Sequence, residues 1–122
     1  TETIQAAAFR KSAAILISST IEGYLNLARI ICDTGCISFG GELSPGRERL
    51  LGARVTDGPG KVEVSVDRRW ICLGGPSALR EIISQNIQKF CSEPATPSFH
   101  LENHPDHYFL DNRSLSIIFS RL

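Results

Sequence analysis

The sequence predicts an α+β fold, a two-layer α/β sandwich in which an antiparallel sheet carries two helices on one face. Three observations lead there. Two segments, 20–33 and 76–91, repeat apolar residues at helical spacing. Several short segments run apolar or alternate at strand spacing, and Gly/Pro clusters punctuate them. The alternation calls for strands with one buried and one wet face, which suits antiparallel sheets better than parallel ones.

Taken in order, residues 1–12 carry little pattern and predict a loose arm or an edge strand. "AAILIS" (13–18) predicts a buried strand. Ser19 followed by Glu22 has capping-box spacing, and Ile21, Leu25, Ala28 and Ile31 mark a helix over about 20–33 that stops at Gly35. Cys36–Phe39 predicts a short strand. Residues 42–60 predict a loop, a strand within Leu50–Val55, and a turn at Asp57-Gly58-Pro59-Gly60. Val62, Val64 and Val66 then alternate with Glu63, Ser65 and Asp67, in a strand running on to Cys72. Gly75-Pro76-Ser77 opens a second helix with Leu79, Ile82, Ile83, Ile87 and Phe90 as its stripe. The segment 100–112 predicts strand-like ends around a turn at His104-Pro105-Asp106, and Leu115, Ile117 and Phe119 mark a terminal strand.

Composition bounds what this fold does. The 122 residues form one domain, 1–122, and 42% apolar with 21% charged content is that of a globular chain. Thirteen basic residues balance thirteen acidic ones, so no overall field draws the molecule to nucleic acid, and the longest apolar run, 13–17, is too short to insert into a membrane. No methionine occurs, even at position 1, which fits a mature form after removal of an N-terminal segment or a sequence that starts partway.

Cys32, Cys36, Cys72 and Cys91 form an even set without a C-x2-C pair, which favours disulfides over zinc or redox chemistry and, with them, secretion. Three pairings exist, and the sequence does not choose among them. Cys32–Cys36 would close a very small loop. Cys36–Cys72 with Cys32–Cys91 would tie strand to strand and helix to helix, at roughly 3–4 kcal/mol each in the chain-entropy model. Asn112-Arg113-Ser114 fits a glycosylation sequon, with Asn112 as the candidate acceptor.

The stretch "SPGRERLLGARV" followed by "KVEVSVDRRWICLGGPSALREIISQNIQKFCSEP" resembles the fungal killer toxin family founded by the virus-encoded smut toxin, killer protein four. The matching residues are Pro45-Gly46, Cys72, Gly75, Cys91 and Pro94, with "SLSIIFSRL" in place of that family's closing strand. The resemblance implies a secreted toxin against competing cells, or a host-directed effector, that acts by binding. It also draws the eye to the position near Leu51, where Arg47, Arg49 and Arg54 stand.

Two clusters are candidate sites. Arg47, Arg49 and Arg54 with Arg68, Arg69 and Trp70 could form a basic, aromatic-bearing surface for a partner, since arginine and tryptophan are typical hot-spot residues. His100, His104 and His107 are weak metal candidates, split by a proline turn and lacking HExxH spacing. No catalytic constellation is present in the sequence, so the expectation is a non-enzyme without cofactor. It would bind a protein or membrane-protein target on another cell, not nucleic acid, as a monomer or weak dimer. Two alternatives stand beside it: an intracellular α+β ligand-binding or regulatory domain with reduced thiols, and a small secreted hydrolase such as a ribonuclease that uses the histidines.

Overall fold

The computed structural model describes residues 4–9, 13–40 and 48–122, and the fold is α+β. Among the described residues nine strands and two helices follow one another as β1 (Ile4–Phe9), β2 (Ala14–Ser19), α1 (Ile21–Asp33), β3 (Gly35–Ser38), β4 (Glu48–Arg49), β5 (Gly52–Thr56), β6 (Glu63–Asp67), β7 (Trp70–Gly74), α2 (Ser77–Ser92), β8 (Ser98–Leu101) and β9 (Ser116–Arg121).

The single antiparallel sheet expected from the alternation is instead two sheets, each with one parallel pair. Five strands are ordered β4-β1-β2-β9-β8 and four are ordered β3-β5-β7-β6; β2 runs parallel to β9, and β5 to β7. The parallel pairs still alternate because one face is buried and the other half-open, so strand pattern reports cover and not direction. Of residues 1–12, expected as a loose arm or an edge strand, 4–9 form β1, which lies between β2 and β4, and the others lie outside the described residues. The chain passes between the sheets at Leu50 and Leu51, whose N–H groups donate to Ala6 O (2.9 Å) and Arg69 O (2.7 Å).

Helix α1 begins one residue later than the capping-box spacing predicts. Thr20 Oγ1 accepts from Gly23 N at 3.2 Å, while Ser19 is buried and donates its hydroxyl to Thr20 O. The helix ends through Thr34, at φ 69°, whose N–H closes on Ile30 O. Helix α2 lies antiparallel to it. Ser84 Oγ donates to Ala28 O at 2.9 Å, and the Tyr24 and Phe90 rings meet edge-on at 5.7 Å.

Arg80 sits where the α2 stripe would suggest an exposed charge, yet its side chain is 2% exposed. Its guanidinium donates to Ile31 O (2.7 Å), Cys32 O (3.0 Å) and Gly75 O (2.9 Å), and pairs with Asp57. The cation thus satisfies the orphan carbonyls that end α1, where the helix dipole favours positive charge.

Both helices and the inner faces of both sheets close on one core. Ile17, Ile117 and Phe119 from one sheet, Ala53, Val55, Ile71 and Leu73 from the other, and Leu27, Ile31 and Ile83 from the helices surround a void of about 20 Å³. That is room for about one water, and its lining is apolar, so this core holds no ligand.

The arginine–tryptophan face, the candidate functional site

The strand expected to run from Val62 to Cys72 is a hairpin. β6 turns back on β7 through Arg68 and Arg69, with Val66 facing Ile71 and Asp67 facing Trp70. Both turn residues have positive φ, 49° and 68°. That is the backbone of a primed two-residue turn, for which Asn-Gly is the usual chemistry. Placing arginine at both positions costs roughly 1–2 kcal/mol per residue. The turn was also signalled by parity: Val62, Val64 and Val66 are even, the buried Ile71 and Leu73 are odd, and one continuous strand cannot bury both sets.

Trp70 faces away from the helices and lies across Gly52, its partner on β5. A Cβ at Gly52 would overlap both the indole and Ile37 O, so only glycine seats the ring. The Arg54 guanidinium stacks on the indole at 4.6 Å from its centroid. Arg69 Nε donates to Arg49 O at 3.0 Å, fastening the hairpin tip to β4. Arg49 Nε is buried with no hydrogen-bond partner. Among the described residues, the ion pairs join Arg80 to Asp57, His100 to Glu102, and Arg113 to Glu63 and Asp111. None uses Arg49, Arg54, Arg68 or Arg69. Five of the six residues singled out in the sequence therefore meet on one face, whereas Arg47 lies outside the described residues. Gly52 was missed, because a glycine in a strand carries no side chain to suggest a role.

The four cysteines are unbridged in this structure. Cys36, Arg54, Cys72 and Ser65 form one cross-sheet row, so β5 separates the two cysteines. Two strand spacings put their Cα atoms roughly 9–10 Å apart, beyond the ~7 Å a disulfide spans. Cys32 and Cys91 fare no better, because the helices are antiparallel. Tyr24 packs on Phe90, next to Cys91, and Cys32 lies eight residues further along α1, about 12 Å away. Among the described residues a thiol makes one hydrogen bond, a long one from Cys72 Sγ to Trp70 O at 3.9 Å. Burial pushes the Cys91 thiol up.

Two of the three histidines meet, His104 packing on His107 with ring centroids 4.8 Å apart, and His100 stands apart from them. His100 is on β8 beside Glu102 at 3.4 Å, His104 is exposed, and His107 is buried with Nδ1 engaged by backbone. Among the described residues no three His, Cys, Asp or Glu side chains are placed to hold a metal ion. Asn112 is exposed, while Ser114 of its sequon is buried and accepts from Val64 N at 2.9 Å.

Beside the face, a groove of about 320 Å³ runs along β6 and β7, with Glu63, Ser65 and Cys72 on its floor and Lys61, Asp111 and Arg113 along one wall. Hydrogen bonds from Arg113, by its backbone and then its side chain, hold the Asp111 carboxyl below the usual range.

No family model matches this chain, and no curated protein or solved structure does either.

Proposed function

We propose that the protein is a non-catalytic binding domain that docks an acidic protein partner on the face formed by Arg49, Arg54, Arg68, Arg69 and Trp70. The observation that carries this reading is the Arg68-Arg69 turn. Two positive-φ positions hold arginines that a glycine-containing turn would relieve, and both side chains are exposed, which is strain retained where side chains are needed. Around them stand guanidinium groups that pair with no carboxylate among the described residues and a half-buried indole on a rigid sheet, the composition of an interface hot spot. A protein partner suits the face better than nucleic acid, because Asp67 shares the Trp70 row, Glu63 lies further along β6, and the whole chain carries no net charge.

An intracellular binding domain with reduced thiols would use this face, with Cys36 exposed beside it. A secreted toxin or effector would use the same face, and that reading rests on the killer-toxin resemblance.

The test titrates isotope-labelled protein with an Asp/Glu-rich peptide bearing aromatic residues and, separately, with a single-stranded oligonucleotide. The peptide is expected to perturb Arg54, Arg68, Arg69 and Trp70, to weaken with salt, and to lose about tenfold or more in affinity in the Arg68→Glu/Arg69→Glu variant. Tighter binding of the oligonucleotide, or peptide-induced shifts on another face, would overturn the reading.

A further inference from the structure

The segment between β8 and β9 is fastened to β6 by backbone on both sides of one residue. Val62 N donates to Phe109 O and Val62 O accepts from Asp111 N, each at 2.8 Å. Two positions on, Leu115 N donates to Val64 O at 2.8 Å. The chain is turned toward Val62 by His107, whose ring is buried and whose Nδ1 accepts from Phe109 N at 3.2 Å and Leu110 N at 3.1 Å. A ring nitrogen that accepts two N–H bonds carries no proton, so the closed loop requires the neutral imidazole protonated at Nε2. The turn before it is tight as well: Asp106 has φ 61°, and His107 N donates to His104 O.

We propose that His107 is an acid-released latch: neutral, its Nδ1 closes the 103–111 segment on Val62, and protonated at Nδ1 it confronts two N–H donors and lets that segment detach.

The titratable and charged groups around the ring give the imidazolium no support. His104 packs on it from the same loop, with ring centroids 4.8 Å apart, and Lys61, before β6, donates its ammonium to His107 O. Tyr108 stacks on the ring, Asp106 precedes it in the chain, and Asp111 is engaged by Arg113. Among the described residues no carboxylate pairs with His107. Burial first, then His104 and Lys61, hold the His107 pKa below the ordinary histidine value of 6.5. An opened loop takes up the proton near that ordinary value while the closed loop resists it. Closure is therefore fully favoured above about pH 6.5 and weakens as pH falls through it. The open fraction is expected to rise about tenfold between about pH 7.5 and about pH 5.5. Because Asp111 lines the groove beside β6, opening withdraws one of its lining residues.

Native-state hydrogen exchange of the whole chain tests this. The Phe109, Leu110 and Asp111 amides should lose about tenfold in protection factor over that interval, with Ile17 and Phe119 in the sheet core unchanged. His107→Asn places an amide oxygen near the Nδ1 position, where it can accept at any pH, so its protection should be flat. A pH dependence that survives in His107→Asn, or none in the wild type, would overturn the latch. Should the variant fail to fold, a ring-nitrogen titration of the wild type decides: an Nε2–H tautomer with a depressed pKa supports the latch, and an Nδ1–H tautomer refutes it.

Discussion

On the five-stranded sheet, the residues turned away from the helices include Ala7, Leu16 and Ile118 in one cross-strand row and Ser18 and Ser120 in the next. They are small or aliphatic and uncharged, and the two serine hydroxyls bond to each other. Arg49, on β4, and His100, on β8 beside Glu102, stand at the two ends of the first row. On the four-stranded sheet the equivalent rows hold Trp70 and Asp67, then Cys36, Arg54 and Cys72. The first face pairs Ser18 with Ser120 and His100 with Glu102, while on the second Arg54 pairs with no carboxylate among the described residues and an indole is seated on a bare glycine. Both sheets cover the same core, so folding does not require this difference. The lesson is that the charged, strained face is the place to look for a partner.

Substitutions on the two faces should separate stability from binding. The largest effect is expected from Gly52→Ala, whose methyl collides with the Trp70 ring and Ile37 O. It should cost about 1–3 kcal/mol in denaturant unfolding, by overpacking a site with no slack, and displace the indole, seen as a change in Trp70 fluorescence. Next, Arg68→Asn with Arg69→Gly supplies the turn chemistry that the backbone already has. The doubly changed protein should be more stable by about 1 kcal/mol or more while acidic-peptide binding is lost, and equal effects of the same sign on both would break the distinction between the faces. The smallest effect belongs to the quiet face. Ser18→Ala removes the hydroxyl pair with Ser120 and should cost about 0.5–1 kcal/mol, with peptide binding unchanged.

Much of the element order was legible because local period and caps are local physics. The valines of β6, the stripe of α2 and the break at Gly75-Pro76 each appear where their spacing put them. The Arg68-Arg69 hairpin escaped because its turn residues are the wrong chemistry for their backbone, although the parity change between Val66 and Ile71 announced it. Arg80 escaped because a charge on a helix stripe is usually solvated, and its partners are carbonyls from another helix. Of the candidate site, the residue types were legible, but the glycine seat under Trp70 and the row that parts Cys36 from Cys72 were not.

By itself the sequence determined the α+β class, where its helices and most of its strands lie, and a charge balance that leaves arginines concentrated between 47 and 69. Tertiary structure decided that there are two mixed sheets, that Arg49, Arg54 and Trp70 meet, that β5 lies between Cys36 and Cys72, and that His107 serves as an acceptor. The division has one physical cause. Periodicity states only that a face is covered, whereas strand order and register are set by contacts between residues far apart in the chain, for which the same alternation permits many arrangements.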